Sequence, residues 1–117
     1  MTTIKELVED LLDGTRMTVA EAMDRHFSSA FRQRTNGSWE SREEVAIRIA
    51  SLRQVFERAT VTVLDEMRDG ARYAERHVVE LVDREGGRLH MEVYVFAEMD
   101  ADGRFLRIEE ANFQHQT

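Results

Sequence analysis

Apolar positions in the first half of the chain recur at helical spacing. Ile4, Leu7, Val8, Leu11 and Leu12 share one face. Val19, Ala22, Met23 and Phe27 share a second, and Val45, Ile49, Leu52 and Phe56 a third. A hydroxyl residue opens each stripe, three positions ahead of a glutamate: Thr3 with Glu6, Thr18 with Glu21, Ser41 with Glu44. In such a capping box the hydroxyl and the carboxylate each satisfy a free backbone N–H at a helix start. The pattern predicts helices near residues 3–13, 18–27 and 41–57, with Asp13-Gly14 ending the first. A short strand is expected over residues 30–35, followed by the turn Asn36-Gly37-Ser38.

The period then changes. Residues 60–64 are β-branched and apolar, and 73–82, 89–99 and 105–113 have the length and content of strands. Asp69-Gly70, Glu85-Gly86-Gly87 and Asp102-Gly103 divide them. Sequential strands with loops this short pair antiparallel. Helices first and a meander afterwards define an α+β domain, and 117 residues fit one such domain spanning 1–117.

Composition narrows the function classes. The net charge is −7, and no run of Lys or Arg forms a basic stripe. Nucleic acid and anionic membrane surfaces are therefore disfavoured partners. With no cysteine there is no thiol nucleophile, disulfide or cysteine-bound metal. No two histidines have the spacing of a metal site, so neither a metal nor another cofactor is expected. The N-terminal stretch lacks the apolar core of a signal peptide, and no apolar run approaches the ~20 residues of a membrane span. The cytoplasm is the expected location.

Several phrases, in this order, resemble the nuclear transport factor 2-like superfamily, and within it the SnoaL-like and ketosteroid isomerase-like group. They are residues 22–27, Arg34-Thr35-Asn36-Gly37, Ser41-Arg42-Glu43-Glu44, Glu92-Val93-Tyr94-Val95-Phe96, and Asp102-Gly103-Arg104-Phe105 onward to Glu109-Glu110. The resemblance implies a cone-shaped fold, the cystatin-like roll: three N-terminal helices packed on a strongly bent, mostly antiparallel sheet that encloses a pocket. Members include isomerases, dehydratases, cyclases, epoxide hydrolases and non-catalytic binding proteins. Similar ketosteroid isomerases use a first-helix tyrosine, a carboxylate after the first short strand and a protonated acid on a later strand. Here the first helix has no tyrosine, and Arg34-Thr35-Asn36 carries no carboxylate. Dehydratase and cyclase relatives use a histidine and an acid inside the cone, parts that His77 with Glu92 or Glu110 fits.

Strand alternation nominates the site. Tyr73, Glu75, His77, Val79 and Leu81 share one face, and His90, Glu92, Tyr94, Phe96 and Glu98 share one on the next strand. A two- or four-residue hairpin loop makes these faces coincide; a three-residue loop sets them on opposite sides. A four-residue loop over 84–87 puts His77 opposite Tyr94 and diagonal to Glu92, and the resemblance places Phe96 inside. If the protein is an enzyme, the expected chemistry is cofactor-free isomerisation, dehydration or cyclisation, with His77 the base, Glu92 the acid or orienting group and Tyr94 a hydrogen-bond donor. The alternative is a non-catalytic ligand-binding or dimerisation module in which the same groups are structural. Trp39, Tyr73, Phe96, Glu110 and Asn112 complete a pocket for a small, mostly apolar organic molecule. A bulge near Asp102-Gly103 decides whether Glu109 or Glu110 faces inward. His26 reads as a packing or capping residue, and His90 and His115 as solvent-exposed. The remaining face of that strand, with Met91, Val93 and Val95, is almost wholly apolar. A homodimer through this outer face would cover it.

Overall fold

A computed structural model describes residues 2–114; His115 lies outside them. The elements are α1 (Ile4–Leu12), α2 (Val19–His26), β1 (Phe27–Thr35), β2 (Ser38–Ser41), α3 (Arg42–Val55), β3 (Phe56–Asp69), β4 (Arg72–Asp83), β5 (Arg88–Met99) and β6 (Phe105–Gln114). Three helices and a curved six-stranded sheet form the α+β architecture expected. The strand order is β2-β1-β6-β5-β4-β3. β3 to β6 form an antiparallel meander, whereas β1 joins β6 in parallel.

The helix starts follow the sequence closely. Thr18 with Glu21 and Ser41 with Glu44 form reciprocal capping boxes. At α1 Thr3 accepts from the Glu6 N–H, but the Glu6 carboxylate lies toward Arg25 at 3.8 Å. The three apolar stripes pack on the concave side of the sheet, with Ile4, Leu7, Met23, Val45 and Ile49 buried there.

Two buried polar devices hold the helices together. His26 is fully buried at the end of α2. Its Nε2 meets Asp10 Oδ2 at 2.7 Å, and its Nδ1 pairs with the Thr2 hydroxyl. Burial pushes the His26 imidazolium below its ordinary pKa, against the pull of Asp10. Arg53, in the last turn of α3, donates to three carbonyls: Leu11 at 2.6 Å, Met17 at 2.8 Å and Asp10 at 2.9 Å. The α1 carbonyls among them sit where a helix runs out of internal donors.

β3 is longer than the β-branched run at 60–64. Past Leu64, where the register with β4 shifts by one, every β3 residue is exposed and most are polar. Main-chain pairing with β4 carries this edge, so hydrophobic content did not mark it. The four-residue strand β2 was likewise unmarked. Asn36 and Gly37 both take positive φ, 49° and 92°, as a two-residue hairpin requires.

The β4–β5 hairpin corrects the expected register. Its loop has three residues, Arg84 to Gly86, closed by the Asp83 N–H on the Gly87 carbonyl at 2.9 Å. Asp83 Oδ1 accepts from the N–H groups of Glu85 and Gly87, both at 2.8 Å, and Gly86 adopts a positive φ of 87°. This is the three-residue form in which a turn ends on a left-handed glycine. A Cβ on Gly87 would come within 2.4 Å of Asp83 Oδ2, so a larger residue there would push aside the carboxylate that closes the loop. The odd loop places His77 opposite Val93, not Tyr94. Leu89, Met91, Val93, Val95, Ala97 and Met99 therefore face the concave core, and Glu92, Tyr94 and Phe96 face outward. The expected dimer contact through Met91, Val93 and Val95 falls with this register, because these side chains lie inside the domain.

Replacing Arg53 by Ala removes three charge-assisted hydrogen bonds and leaves buried carbonyls unpaired. Urea denaturation of Arg53→Ala is expected to show a loss of about 3 kcal/mol; an unchanged midpoint would mean these bonds do not hold α1 to α3.

Candidate functional site

The concave face encloses a cavity of about 160 Å³ between the sheet and helices α1 and α3. Cavities of about this size admit a benzene-sized molecule. Register sorts the lining. Leu81, Val79 and Met91 occupy the rows nearest the β4–β5 hairpin. The next row carries His77, Val93 and Asn112, and the one after it Glu75, Val95 and Glu110. Gln33 on β1 and Arg48 on α3 complete the polar end.

His77 and Glu75 stand two residues apart on β4 and so on one face. Both side chains are almost wholly buried, and His77 Nδ1 meets Glu75 Oε1 at 2.6 Å. Glu75 shares this face but is not itself in the lining of the cavity. Since Nδ1 is engaged, Nε2 is the ring nitrogen left to meet a molecule in the cavity.

Glu110 faces the same space from β6. Gln33 Nε2 donates to its Oε1 at 2.8 Å, and Asn112 Nδ2 to its Oε2 at 3.1 Å. Burial raises its pKa above the ordinary 4.5. The Asn112 hydrogen bond and the charges of Arg48 and His77 pull the other way without cancelling the rise, while Glu75 adds to it. A carboxyl in these surroundings is easier to keep protonated than one in water. Asn36 fixes the strand end beneath it: its N–H donates to the Glu110 carbonyl at 2.9 Å, and its Oδ1 accepts from the Asn112 N–H at 2.9 Å. Arg48 Nε is held by the Glu40 carboxylate at 2.9 and 3.1 Å.

Of the residues nominated from the sequence, His77, Glu110 and Asn112 meet at this cavity. Glu92 and Tyr94 do not: they lie on the convex face, hydrogen-bonded to each other. Phe96 lies on the same convex face and is 71% exposed. Trp39 is on the outer side of β2 beneath the Arg32 guanidinium, 4.3 Å from its centre, away from the cavity. Tyr73 is on the concave face but packed edge-on to Phe105, with its hydroxyl donating to Glu66. Burial, then the Glu66 contact, pushes the Tyr73 phenol well above its usual pKa. The bulge in β6 falls between the partners of Glu98 and Met99 and turns Glu110 inward, leaving Glu109 outside with Arg107 and Arg34. His90 is half-buried and paired with Glu80 at 2.8 Å.

Three polar residues of the site were missed, and two had signals. Gln33 shares strand parity with the buried Phe31. Arg48 falls on the Val45, Ile49, Leu52 stripe at helical spacing. The Asn36 contact to Asn112 spans 76 positions and has no local signature. Among the described residues no group of three or more His, Asp or Glu side chains could hold a metal ion.

No family model and no curated protein matches the sequence. Solved structures do match the fold. An NTF2-like protein of unknown function from Exiguobacterium sp. 255-15 superposes with a TM-score of 0.68 at 18% identity, covering 98% of this chain and 100% of that one. A protein with a ketosteroid isomerase-like fold from Catenulispora acidiphila DSM 44928, in complex with trimethylamine, gives 0.66 at 14% identity, covering 90% and 83%. A candidate SnoaL-like polyketide cyclase from Jannaschia sp. CCS1 gives 0.63 at 15% identity, covering 79% and 70%. The chain thus has the nuclear transport factor 2-like fold, in the form shared by SnoaL-like and ketosteroid isomerase-like proteins. Identities this low carry the fold and not the chemistry.

The raised Glu110 pKa has a signed consequence. The folded state holds this proton more tightly than the unfolded chain, so the contribution is stabilising below pH 4.5 and is lost as pH rises through the folded-state value. Glu110→Gln removes it. The stability of the variant relative to wild type is expected to increase as pH rises above 4.5, read by urea denaturation across a pH series. A constant difference between the two proteins would mean that Glu110 titrates as it does in water.

Proposed function

We propose that the cavity takes a small, mostly apolar organic molecule of about one ring and moves a proton on it without a cofactor, in an isomerisation, dehydration or cyclisation. One observation carries the reading: an imidazole and a carboxyl with a raised pKa face a single apolar cavity from different strands. His77 Nε2 is the base and takes a proton from carbon. Glu110, in its neutral form, donates a hydrogen bond to the oxygen where negative charge develops, and the protonated His77 Nε2 then gives the proton back to another carbon or to the departing oxygen. Gln33 and Asn112 hold the carboxyl in place. Glu92 and Tyr94 have no part in this chemistry. The candidate SnoaL-like polyketide cyclase among the fold relatives supports such a role.

Exchange of ketone α-protons in D₂O tests it directly. Cyclohexenone and related one-ring ketones are expected to exchange above the buffer rate, with His77→Gln and Glu110→Gln each lowering the rate by roughly 10²–10⁴-fold. Exchange at the buffer rate for every ketone would remove the catalytic reading. Ligand-induced NMR shifts at Val93 and Met91 without exchange would leave a binding protein.

The homodimer is proposed again, with a different contact. The convex face exposes Phe96 at 71% and Met67 at 69%, beside Tyr94 and Phe113. Charges of both signs surround them, including Arg72, Glu98, Arg107 and Glu109. A two-fold pairing sets such a rim against itself with opposite charges matched. Sedimentation at micromolar concentration is expected to show a dimer that Phe96→Asp converts to monomer. A wild-type monomer would dismiss the contact.

A further inference from the structure

We infer that Glu75 is a positioning residue that fixes the tautomer of His77, a step that rests on the proton-transfer reading above. Its carboxylate is completely buried yet does not line the cavity. One oxygen is 2.6 Å from His77 Nδ1, and the other, Oε2, is buried with no hydrogen-bond partner. A buried carboxylate that uses only one oxygen is costly to keep. Replacing such a buried pair with apolar side chains of similar volume is often neutral or stabilising, so packing alone does not account for it.

The cost has a use in what it does to the ring. A neutral imidazole carries one proton, on either nitrogen, and the hydrogen bond at one nitrogen decides the state of the other. A carboxylate at Nδ1 keeps the proton there and leaves the lone pair on Nε2, toward the cavity. The reverse tautomer would present an N–H to the substrate and could not act as base. When Nε2 accepts a proton, the same carboxylate faces the new imidazolium and stabilises it. The neighbouring charges do not compete for Nδ1. Glu66, next to Glu75 on β3, is engaged by the Tyr73 hydroxyl, Glu110 lies two strands away, and Arg48 is held by Glu40.

The test is a long-range ¹⁵N–¹H correlation spectrum of the full chain with ¹⁵N-labelled histidine, recorded where the imidazole is neutral. His77 is expected to show a protonated Nδ1 and an unprotonated Nε2. In Glu75→Leu the two nitrogens are expected to shift toward an averaged, mixed-tautomer pattern. Where ketone exchange is measurable, the variant is expected to lose roughly 10²–10⁴-fold in rate at unchanged KM. A wild-type spectrum with the proton on Nε2 overturns the inference, as does an unchanged spectrum in Glu75→Leu. The wild-type spectrum decides the first point even if the variant fails to fold. The spectra need no substrate, so absence of catalysis would remove the proposed reaction while leaving the tautomer result standing.

Discussion

The parity of one hairpin decides which side chains meet inside the cone. Asp83 sets it. Its carboxylate takes the N–H groups of Glu85 and Gly87, and its own N–H reaches back to the Gly87 carbonyl. These bonds close the loop at three residues. One residue more or fewer would turn every β5 side chain to the other face. The apolar row from Leu89 to Met99 would then meet water, and Glu92 and Tyr94 would enter the cavity. The β5–β6 hairpin repeats the device. Asp100 accepts from the N–H groups of Asp102 and Arg104, and Gly103 takes the left-handed position. Together the two loops fix the meander that carries both His77 and Glu110.

The helices supply the lid and the means to keep it down. Their apolar stripes cover the concave face, but the cavity is itself a gap in that packing and lowers the cohesion of the layer above it. Arg53 and the Thr2, His26, Asp10 chain lie beyond the cavity, between helices, and tie α1 to α2 and α3 by hydrogen bonds instead. A void large enough for a ligand can persist because the elements around it are anchored elsewhere.

The helices, their caps and the antiparallel meander were legible because each rests on local rules: hydroxyl and glutamate at a helix start, stripes at helical spacing, glycine at a turn. The parallel pairing of β1 with β6 joins distant segments and was not legible. Alternation nominates His77 and Asn112 as inward residues, but which of Glu109 and Glu110 turns inward hangs on a bulge that no local pattern locates. The register of β5 was misjudged, although two signals pointed the right way. Asp83 followed by a glycine three positions on is the form of a three-residue loop, and Asp100 with Gly103 repeats it. The second signal is hydrophobic. A row of six apolar side chains at period two belongs in the core before a partner chain is invoked to cover it. The exposed half of β3 left no trace because an edge strand held by backbone bonds needs no apolar residue. The contact of Asn36 with Asn112 joins distant segments, and no local rule reaches it.

The spacing of the polar groups keeps an imidazole and a carboxyl apart on one face of the sheet. Glu75 and Glu110 occupy one row but are separated by Val95 on β5. Adjacent strands lie about 4.8 Å apart, so the two carboxyls start roughly 10 Å apart across the sheet. His77 reaches the nearer one and forms a pair. Glu110, beyond that reach, keeps its own amide partners and a pKa set mainly by burial. The apolar strand between them leaves a gap about as wide as a small ring. Valine at 93 and 95 thus sets, by position alone, the separation of imidazole and carboxyl on which the proposed proton transfer rests.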